Sequence, residues 1–506
     1  MKLNQRRTGA ILSYVSIFAN MLVQLLYTPF LISKLGQSEY GLYSLVSSII
    51  GYLTVLDLGF GNAIVVHTAK YRAIGEKEKE QTLHGMFKVI YTIIGVIAGI
   101  IGVVFALNSY LVFGSTMSDG ELEKMRIMLL ILSLNLLVTF SFSIYNSIIT
   151  ASEKFIFQKT LAIINTIAKP LLMIPVLFLG YKSIALCAVI TVVNVAVLLT
   201  NRYYCSKKLG TKAKFRGFDK KLLKVVFAYS FWIFLTQIVD KINWSADQFI
   251  LGAVSGTMAV SIYAAASQLN VMFINLSTAI AHVMLPKMSK MVANKATSEQ
   301  LSNEFIKIGR IQFLIIFLAV SGLVFVGKDF IRLWLGDGFD DSYIVALLLI
   351  VPVVFALIQN TGLSIMQAMN KYKFKALSTF IMSLFNIVIS IFLAKSFGAI
   401  GAALGTTIGL VICNIIVINI YYKKAMALDV FRFWKNIIIM LLKFVVPISA
   451  TVLVIVLTRL HGIKAILLYG SVYTVLYSVT AYLFVMNPYE KEILNKVLKK
   501  LHIKRS

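Results

Sequence analysis

The chain has 506 residues, of which 59% are hydrophobic and only 14% are charged. Soluble domains have roughly half apolar and about a quarter charged residues, so this composition excludes an ordinary soluble protein and indicates a polytopic membrane protein. The formal net charge of +28 does not indicate nucleic-acid binding, because the basic residues alternate with apolar segments along the whole chain instead of gathering in one domain.

Hydrophobic segments that cross a hydrocarbon core of ~30 Å need about 20 apolar residues. The chain contains fourteen such segments, and we predict a transmembrane helix for each: 10–32, 42–66, 86–107, 127–149, 155–179, 183–204, 222–244, 259–285, 308–326, 342–366, 374–397, 399–422, 437–458 and 464–485. The predicted fold class is therefore an all-α polytopic membrane protein with 14 transmembrane helices.

The basic residues also predict the orientation of these helices. If the N-terminus is cytoplasmic, 38 of the 49 Lys and Arg residues fall in cytoplasmic segments, nine fall outside, and two lie within spans. Positively charged loops remain on the cytoplasmic side of a membrane. We therefore expect both the N- and the C-terminus in the cytoplasm.

The two halves of the chain resemble each other in sequence. A shift of 217 positions places Ser147, Ile148, Ala151, Lys154 and Phe157 on Ser364, Ile365, Ala368, Lys371 and Phe374. An even number of spans per repeat keeps both halves in one orientation, so the predicted pseudo-twofold axis runs along the membrane normal. We predict a six-helix lobe at 1–204, a basic cytoplasmic linker at 205–221, a second six-helix lobe at 222–422, two additional helices at 437–485 and a basic cytoplasmic tail at 486–506.

The first helix of each half carries a polar stripe at helical spacing. Steps of three and four residues keep each stripe on one helix face. Such faces either form hydrogen bonds between helices or line a water-filled cavity, and their repetition in both halves favours the cavity. The candidate cavity residues are Asn20, Gln24 and Tyr27 in the first half, and Thr236, Asp240 and Asn243 in the second.

Four charged residues lie deep within predicted spans: Asp57, Lys169, Asp240 and Lys241. A charge at the bilayer centre costs about 2.5 to 3.5 kcal/mol on insertion scales, so each needs a partner or an aqueous cavity. Asp57 and Lys169 come at similar depths, so they form either a structural ion pair or part of a substrate or ion site. Asp240 is in register with the polar stripe, which makes it a candidate for binding a coupling ion.

The sequence lacks the motifs that are typical of several functional classes. The chain has no GxxxxGK[ST] nucleotide-binding loop, and Cys187, Cys205 and Cys413 show no metal-ligand spacing. The predicted outer loops are short, which leaves little room for a catalytic domain outside the membrane. We therefore expect a transporter rather than an enzyme, without a cofactor or a metal.

Three motifs resemble a known family: FLISKLG followed by YGLY at 30–43, DLGFGNA at 57–63, and LWLG at 333–336. They are similar to those of Wzx-type polysaccharide flippases in the multidrug/oligosaccharidyl-lipid/polysaccharide (MOP) exporter superfamily, and the resemblance extends over the whole chain. It implies a protein of the bacterial cytoplasmic membrane that moves undecaprenyl-pyrophosphate-linked oligosaccharides from the inner to the outer leaflet. The products would be capsule, exopolysaccharide or O-antigen, with a polysaccharide polymerase and glycosyltransferases as partners.

The resemblance also implies an ion-coupled alternating-access mechanism, with Na⁺ or H⁺ as the coupling ion. Lys169 or Lys241 would meet the pyrophosphate or an acidic sugar. Relatives that move peptidoglycan precursors use cavity arginines, which this chain lacks. In a sodium site of the kind found in those relatives, Asp240 would act with Asn386 and with Thr406 or Thr407, although the 374–397 span has no second carboxylate. The alternatives are a cation-coupled multidrug antiporter of the same superfamily and a membrane polysaccharide polymerase.

Overall fold

The computed structural model describes residues 4–503. Only the backbone is described at 6–7, 220, 225, 228–229, 231–233, 235–236, 276–284 and 497–503. The described chain forms helices joined by short turns and contains no strand. This agrees with the predicted all-α class.

The α-helices of the described chain are α1 (Gln5–Leu35), α2 (Gln37–Leu53), α3 (Phe60–Ala73), α4 (Lys77–Leu107), α5 (Ser109–Phe113), α6 (Asp119–Ala151), α7 (Phe155–Phe178), α8 (Ser183–Tyr203), α9 (Lys220–Val254), α10 (Gly256–Ala293), α11 (Ser298–Leu335), α12 (Asp340–Leu357), α13 (Asn360–Ala368), α14 (Tyr372–Val411), α15 (Ile418–Met426), α16 (Val430–Lys443), α17 (Val445–Thr458), α18 (Ile463–Thr480) and α19 (Pro488–Ile503). A 3₁₀ turn covers Thr54–Asp57, and π-helical turns cover Tyr204–Lys208, Ile412–Val417 and Ala481–Val485.

Twelve helical stretches in the described residues are long and apolar enough to cross a membrane, so the chain is a multi-pass membrane protein. The predicted number was fourteen. Helix α9, which covers the predicted seventh span, is not among the twelve. The stretch from α14 to α15 counts once, although Gly398 interrupts α14 with non-helical torsions (φ 54°, ψ −132°).

Contacts divide the chain into two compact units. The first comprises Met1–Ala264 and Ala394–Ala399, and the second comprises Ala265–Leu393 and Ile400–Ser506. Within the first unit, α6 packs against α4 and α8, while α1 packs against α7. Within the second unit, α11 is the central helix and packs against α12, α16 and α18.

The contact between α4 and α6 depends on small residues. An ideal Cβ atom on Gly95 would lie 2.7 Å from the carbonyl oxygen of Leu137, and one on Gly102 would lie 2.1 Å from Ser133 Oγ. Van der Waals contact drives much of the association of helices in lipid, so glycines that allow backbones to approach are favoured at such interfaces. These glycines therefore allow α4 and α6 to pack close together.

The internal repeat is visible in local geometry. The rings of Phe157 and Tyr204 stack with centroids 3.8 Å apart, and those of Phe374 and Tyr421, exactly one repeat later, stack at 3.9 Å. The left-handed residue Glu153 (φ 53°) likewise has its counterpart in Asn370 (φ 57°). Equivalent turns and aromatic contacts therefore recur at the 217-residue shift found in the sequence.

The second predicted span, 42–66, is not one continuous helix. Helix α2 ends at Leu53, a 3₁₀ turn follows, and Leu58 (φ 54°) and Gly59 (φ 70°) adopt left-handed torsions before α3 begins. Glycine takes such torsions at little cost, and this explains the position of the break. The prediction of an uninterrupted helix is wrong here, because hydrophobic periodicity does not report the backbone torsion of a single residue.

Candidate functional site

The break between α2 and α3 places a carboxylate inside the apolar first unit. Asp57 is the last residue of the 3₁₀ turn and is half-buried. It accepts hydrogen bonds from the hydroxyl of Tyr91 on α4 and from the backbone N–H of Gly59. The interruption leaves backbone groups without helical partners, and Asp57 satisfies one of them.

The surroundings of Asp57 are aromatic and closely packed. Phe60, the first residue of α3, lies with its ring centroid 5.7 Å from that of Phe87 and 6.2 Å from that of Tyr91. All three side chains are almost completely buried. This packing fixes Tyr91 so that its hydroxyl points at the carboxylate.

The lysines of two predicted spans have no carboxylate partner in the part of the chain that the structure describes. Lys169 lies in the middle of α7 and Lys241 lies on α9, both partly buried in the first unit. No ion pair joins Asp57 to Lys169 in the described residues, so that alternative is not observed. The Nζ atom of Lys241 lies 3.4 Å from the position of an ideal Cβ on Gly51 of α2.

The polar stripe of α1 is only partly bonded within the protein. Gln24 donates to Asn20 Oδ1 at 2.8 Å, and Asn20 is exposed. The hydroxyl of Tyr27 is buried and has no hydrogen-bond partner among the described atoms. Asn20 and Gln24 are thus hydrogen-bonded to each other, and the Tyr27 hydroxyl bonds to neither of them.

The stripe of α9 contains both exposed and buried members. Asp240 is exposed, and Asn243 is half-buried; both take part in polar or electrostatic interactions. One turn further on, Asp247 is buried and accepts a short hydrogen bond from the hydroxyl of Tyr263 on α10. The side chain of Thr236 lies outside the described residues.

Only two of the three predicted coupling-ion residues in the second unit come together. Asn386 donates from Nδ2 to Thr406 Oγ1 at 3.2 Å, and Ser390 donates to Asn386 Oδ1 at 2.9 Å; all three are buried. Thr407 instead donates to the carbonyl oxygen of Leu348 on α12 at 2.6 Å. Asp240 belongs to the first unit.

Sequence reasoning missed the tyrosines that bind the buried carboxylates. Tyr91 pairs with Asp57 and Tyr263 with Asp247, but a single tyrosine in an apolar span carries no signal of its partner. It also missed a polar cluster in the first unit. Glu39 on α2 accepts from Lys124 at 2.7 Å and from Ser183 at 2.6 Å.

A second carboxylate extends this cluster. Glu121 on α6 accepts hydrogen bonds from Ser38 at 2.5 Å and from Thr257 at 2.8 Å. The backbones also approach closely here, since an ideal Cβ on Gly41 would lie 1.9 Å from the carbonyl oxygen of Thr257. Charge-assisted hydrogen bonds are about twice as strong as neutral ones, so this cluster joins the beginnings of α2, α6 and α10. Among the described residues, no group of three or more His, Cys, Asp or Glu side chains is arranged to hold a metal.

Comparisons with known proteins agree with this architecture. The family model described as "Polysaccharide biosynthesis protein" matches residues 7–292. The chain is 22% identical over 394 residues to the protein described as "Putative O-antigen transporter" of Shigella flexneri, covering 76% of this chain and 90% of the relative. It is 22% identical over 492 residues to "Uncharacterized membrane protein EpsK" of Bacillus subtilis (strain 168), covering 94% of each.

Solved structures share the fold. The lipid II flippase MurJ in an inward closed conformation superposes with a TM-score of 0.73 at 18% identity, covering 94% of this chain and 98% of that one. An inward-facing multidrug resistance MATE family transporter of the MOP superfamily superposes with a TM-score of 0.66 at 15% identity, covering 79% and 96%. At these identities the similarity establishes the fold alone.

Proposed function

Because the chain belongs to the polysaccharide biosynthesis protein family, we propose that it is a Wzx-type flippase. It moves undecaprenyl-pyrophosphate-linked oligosaccharide repeat units from the inner to the outer leaflet of the bacterial cytoplasmic membrane. The units then serve the synthesis of capsule, exopolysaccharide or O-antigen. This makes the protein a transporter rather than an enzyme.

The observation that carries this proposal is the pair of intramembrane lysines. Among the described residues, neither Lys169 nor Lys241 is paired with a carboxylate, and both are partly buried, Lys169 on the membrane-spanning α7 and Lys241 on α9, which covers a predicted span. Ionisable residues inside a membrane span are costly and mark substrate or ion pathways. An anionic pyrophosphate or an acidic sugar would supply the missing negative charge, since ammonium groups bind phosphate oxygens by charge-assisted hydrogen bonds.

The finer architecture belongs to the same proposal. Fourteen spans would form two six-helix lobes about a pseudo-twofold axis along the membrane normal, with two further helices and both termini in the cytoplasm. The sugar and pyrophosphate would occupy a polar cavity lined by Asn20, Gln24, Tyr27, Asp57, Lys169, Thr236, Lys241 and Asn243. The prenyl chain would remain in lipid, and alternating access of this cavity would move the head group across.

Ion coupling is the last part of the proposed mechanism. We propose that Na⁺ or H⁺ drives the cycle, with Asp240 as the charged residue. Asn386 and Thr406 already form one polar cluster, whereas Thr407 would have to give up its bond to Leu348 in order to join it. A polysaccharide polymerase would receive the translocated units, and glycosyltransferases would supply them.

The test is deletion of the gene in its host, followed by measurement of surface polysaccharide and of lipid-linked repeat units. The expected result is loss of polymer, with the lipid-linked intermediate accumulating on the cytoplasmic face, and restoration by the wild-type gene. A deletion strain with normal polymer but altered drug sensitivity would instead establish the antiporter, the second candidate that the shared fold with a multidrug transporter supports. Polymer loss with intermediates already on the outer face would indicate a polymerase.

A further inference from the structure

A strongly basic pocket lies within the second unit, between α11, α16 and the segment that connects α18 to α19. Its volume is about 650 Å³, which falls within the roughly 300–1,000 Å³ of small-molecule sites. Four of its twelve lining residues are cationic and none is acidic; the four are Lys307, Arg310, Arg432 and Lys443. Nothing in the proposed transport cycle uses these residues.

One of the four cations is a fixed part of the wall. Arg310 on α11 binds both carboxylate oxygens of Glu490, at 2.7 and 3.0 Å, and donates to the carbonyl oxygen of Val485 at 3.1 Å. The Glu490 side chain is almost fully buried. Bidentate pairs of this kind add geometric specificity, so this bond holds the first turn of α19 against α11 and gives the pocket a rigid side.

Two of the other three cations have no acidic partner among the described residues. Lys443 donates to the carbonyl oxygen of Phe484 at 2.7 Å, and Arg432 donates to the side-chain oxygen of Asn303 at 3.0 Å. Neither forms an ion pair within the described chain. Both partners are neutral, so the positive charge of each side chain remains available to a ligand.

The third of these cations, Lys307, is held over an aromatic ring. Its Nζ atom lies 3.5 Å from the ring centroid of Tyr489. Its carboxylate neighbour Glu304 is 3.9 Å away, while a second oxygen of that carboxylate lies 2.5 Å from Lys287. The Glu304 charge is thus shared with Lys287, and the pocket wall stays net positive.

Exposed apolar side chains adjoin the cations. Leu442 precedes Lys443 and is 63% exposed, Val446 follows it by three residues and is 71% exposed, and Phe484, which lines the pocket, is 66% exposed. In a membrane-spanning unit these side chains face acyl chains rather than water. A ligand bound to the cations would therefore lie beside exposed apolar side chains. This arrangement suits an amphiphile better than a soluble anion.

We propose that this pocket binds the phosphate headgroup of an anionic phospholipid of the surrounding bilayer. Basic pockets between membrane helices on the cytoplasmic side are suited to such headgroups, and the distribution of basic residues places this pocket there. Arg432 and Lys443 bind the phosphate oxygens, Lys307 adds a third positive charge, and the acyl chains run along Leu442 and Val446. The site requires that the protein spans the membrane in the predicted orientation, and it does not depend on the proposed flippase activity.

The experiment is native mass spectrometry of the full-length protein, purified in detergent and titrated with phosphatidylglycerol or with neutral phosphatidylcholine. Phosphatidylglycerol should bind preferentially to the wild type. The double variant Arg432→Gln/Lys443→Gln should bind it more weakly by well over about tenfold, because two charge-assisted contacts are lost. Lys435→Gln is the matched control, since Lys435 is an exposed cation on the same helix that does not line the pocket. The charge-preserving variant Arg432→Lys/Lys443→Arg should retain binding.

Three results would overturn the proposal. Equal loss in Lys435→Gln would indicate attraction to general surface charge. Displacement of the lipid by millimolar inorganic phosphate would indicate a site for a soluble anion. Equal binding of both lipids by the wild type would show that the charge of the headgroup does not determine binding. Thermal unfolding of each variant shows whether weaker binding reflects a damaged fold, and the charge-preserving variant keeps the test decisive if the glutamine variant unfolds.

Discussion

Asp57 stabilises the interrupted second span through hydrogen bonds. Its carboxylate accepts from Tyr91 and from the backbone of Gly59, and an unsatisfied buried donor costs about 1–3 kcal/mol. Asp57→Ala should therefore lower the thermal unfolding temperature clearly. Asp57→Asn, which keeps one acceptor oxygen, should lower it less, as should Tyr91→Phe, which removes a single hydroxyl. Unfolding followed by intrinsic fluorescence in detergent measures this order, and equal losses in the Asn and Ala variants would show that the charge matters instead.

Lys169 is expected to act on substrate rather than on stability. It has no carboxylate partner in the described residues, so its replacement breaks no ion pair that the structure shows. Lys169→Gln should reduce surface polysaccharide in the complemented deletion strain by about tenfold or more, the effect of one lost charge-assisted contact of about 1.5–3 kcal/mol, at unchanged membrane abundance.

Lys169→Arg preserves the charge and should retain most of the polysaccharide. Lys182→Gln makes the same change at an exposed position and should behave as the wild type. A wild-type amount of surface polysaccharide in the Lys169→Gln strain would show that this residue does not act on the substrate.

Among the helices, α4 and α6 make a contact that tolerates no added methyl group. A Cβ on Gly95 would approach the backbone oxygen of Leu137 to 2.7 Å, so Gly95→Ala should destabilise the first unit by about 1–3 kcal/mol, the usual cost of overpacking. Gly322→Ala on α11 is the matched control, because no atom lies within 4 Å of its ideal Cβ. Membrane abundance and thermal unfolding measure the difference. Equal stability of the two variants would mean that the helices can separate without cost.

The helices themselves were largely predictable, because twenty apolar residues in a row leave the backbone few alternatives in lipid. The predicted segments lie mainly on helix in the structure, although turns interrupt 42–66, 342–366 and 437–458. The break at Leu58 and Gly59 was not predictable, since it depends on two torsion angles and on the distant hydroxyl of Tyr91. The family resemblance likewise implied Asn386 with Thr406 or Thr407 but did not separate the two threonines, because Thr407 bonds to Leu348 on α12, which is distant in sequence.

For the whole molecule, the positive-inside distribution predicts an even number of spans and cytoplasmic termini. A green fluorescent protein fused after Ser506 should therefore fluoresce. Alkaline phosphatase inserted between α11 and α12, at Gly336–Phe339, should be active outside the cytoplasm. In the control, the two reporters are exchanged. Alkaline phosphatase fused after Ser506 should be inactive, and green fluorescent protein inserted between α11 and α12 should not fluoresce. An active alkaline phosphatase at the C-terminus would require an odd number of spans and would contradict the predicted topology.

The interruption between α2 and α3 should also report conformational change through hydrogen–deuterium exchange of its backbone amides. The amides around Leu58 and Gly59 are held by single-turn bonds, such as Leu58 N–H to Val55 at 3.1 Å and Asn62 N–H to Gly59 at 3.2 Å. The neighbouring α4 keeps an unbroken ladder of helical bonds. Since local opening governs amide exchange, deuterium should enter the interruption sooner than α4, and its uptake should change when a ligand alters the opening of the first unit. Mass-spectrometric exchange could thus follow conformational cycling in the unmodified protein, and uptake equal to that of α4 would show the interruption to be rigid.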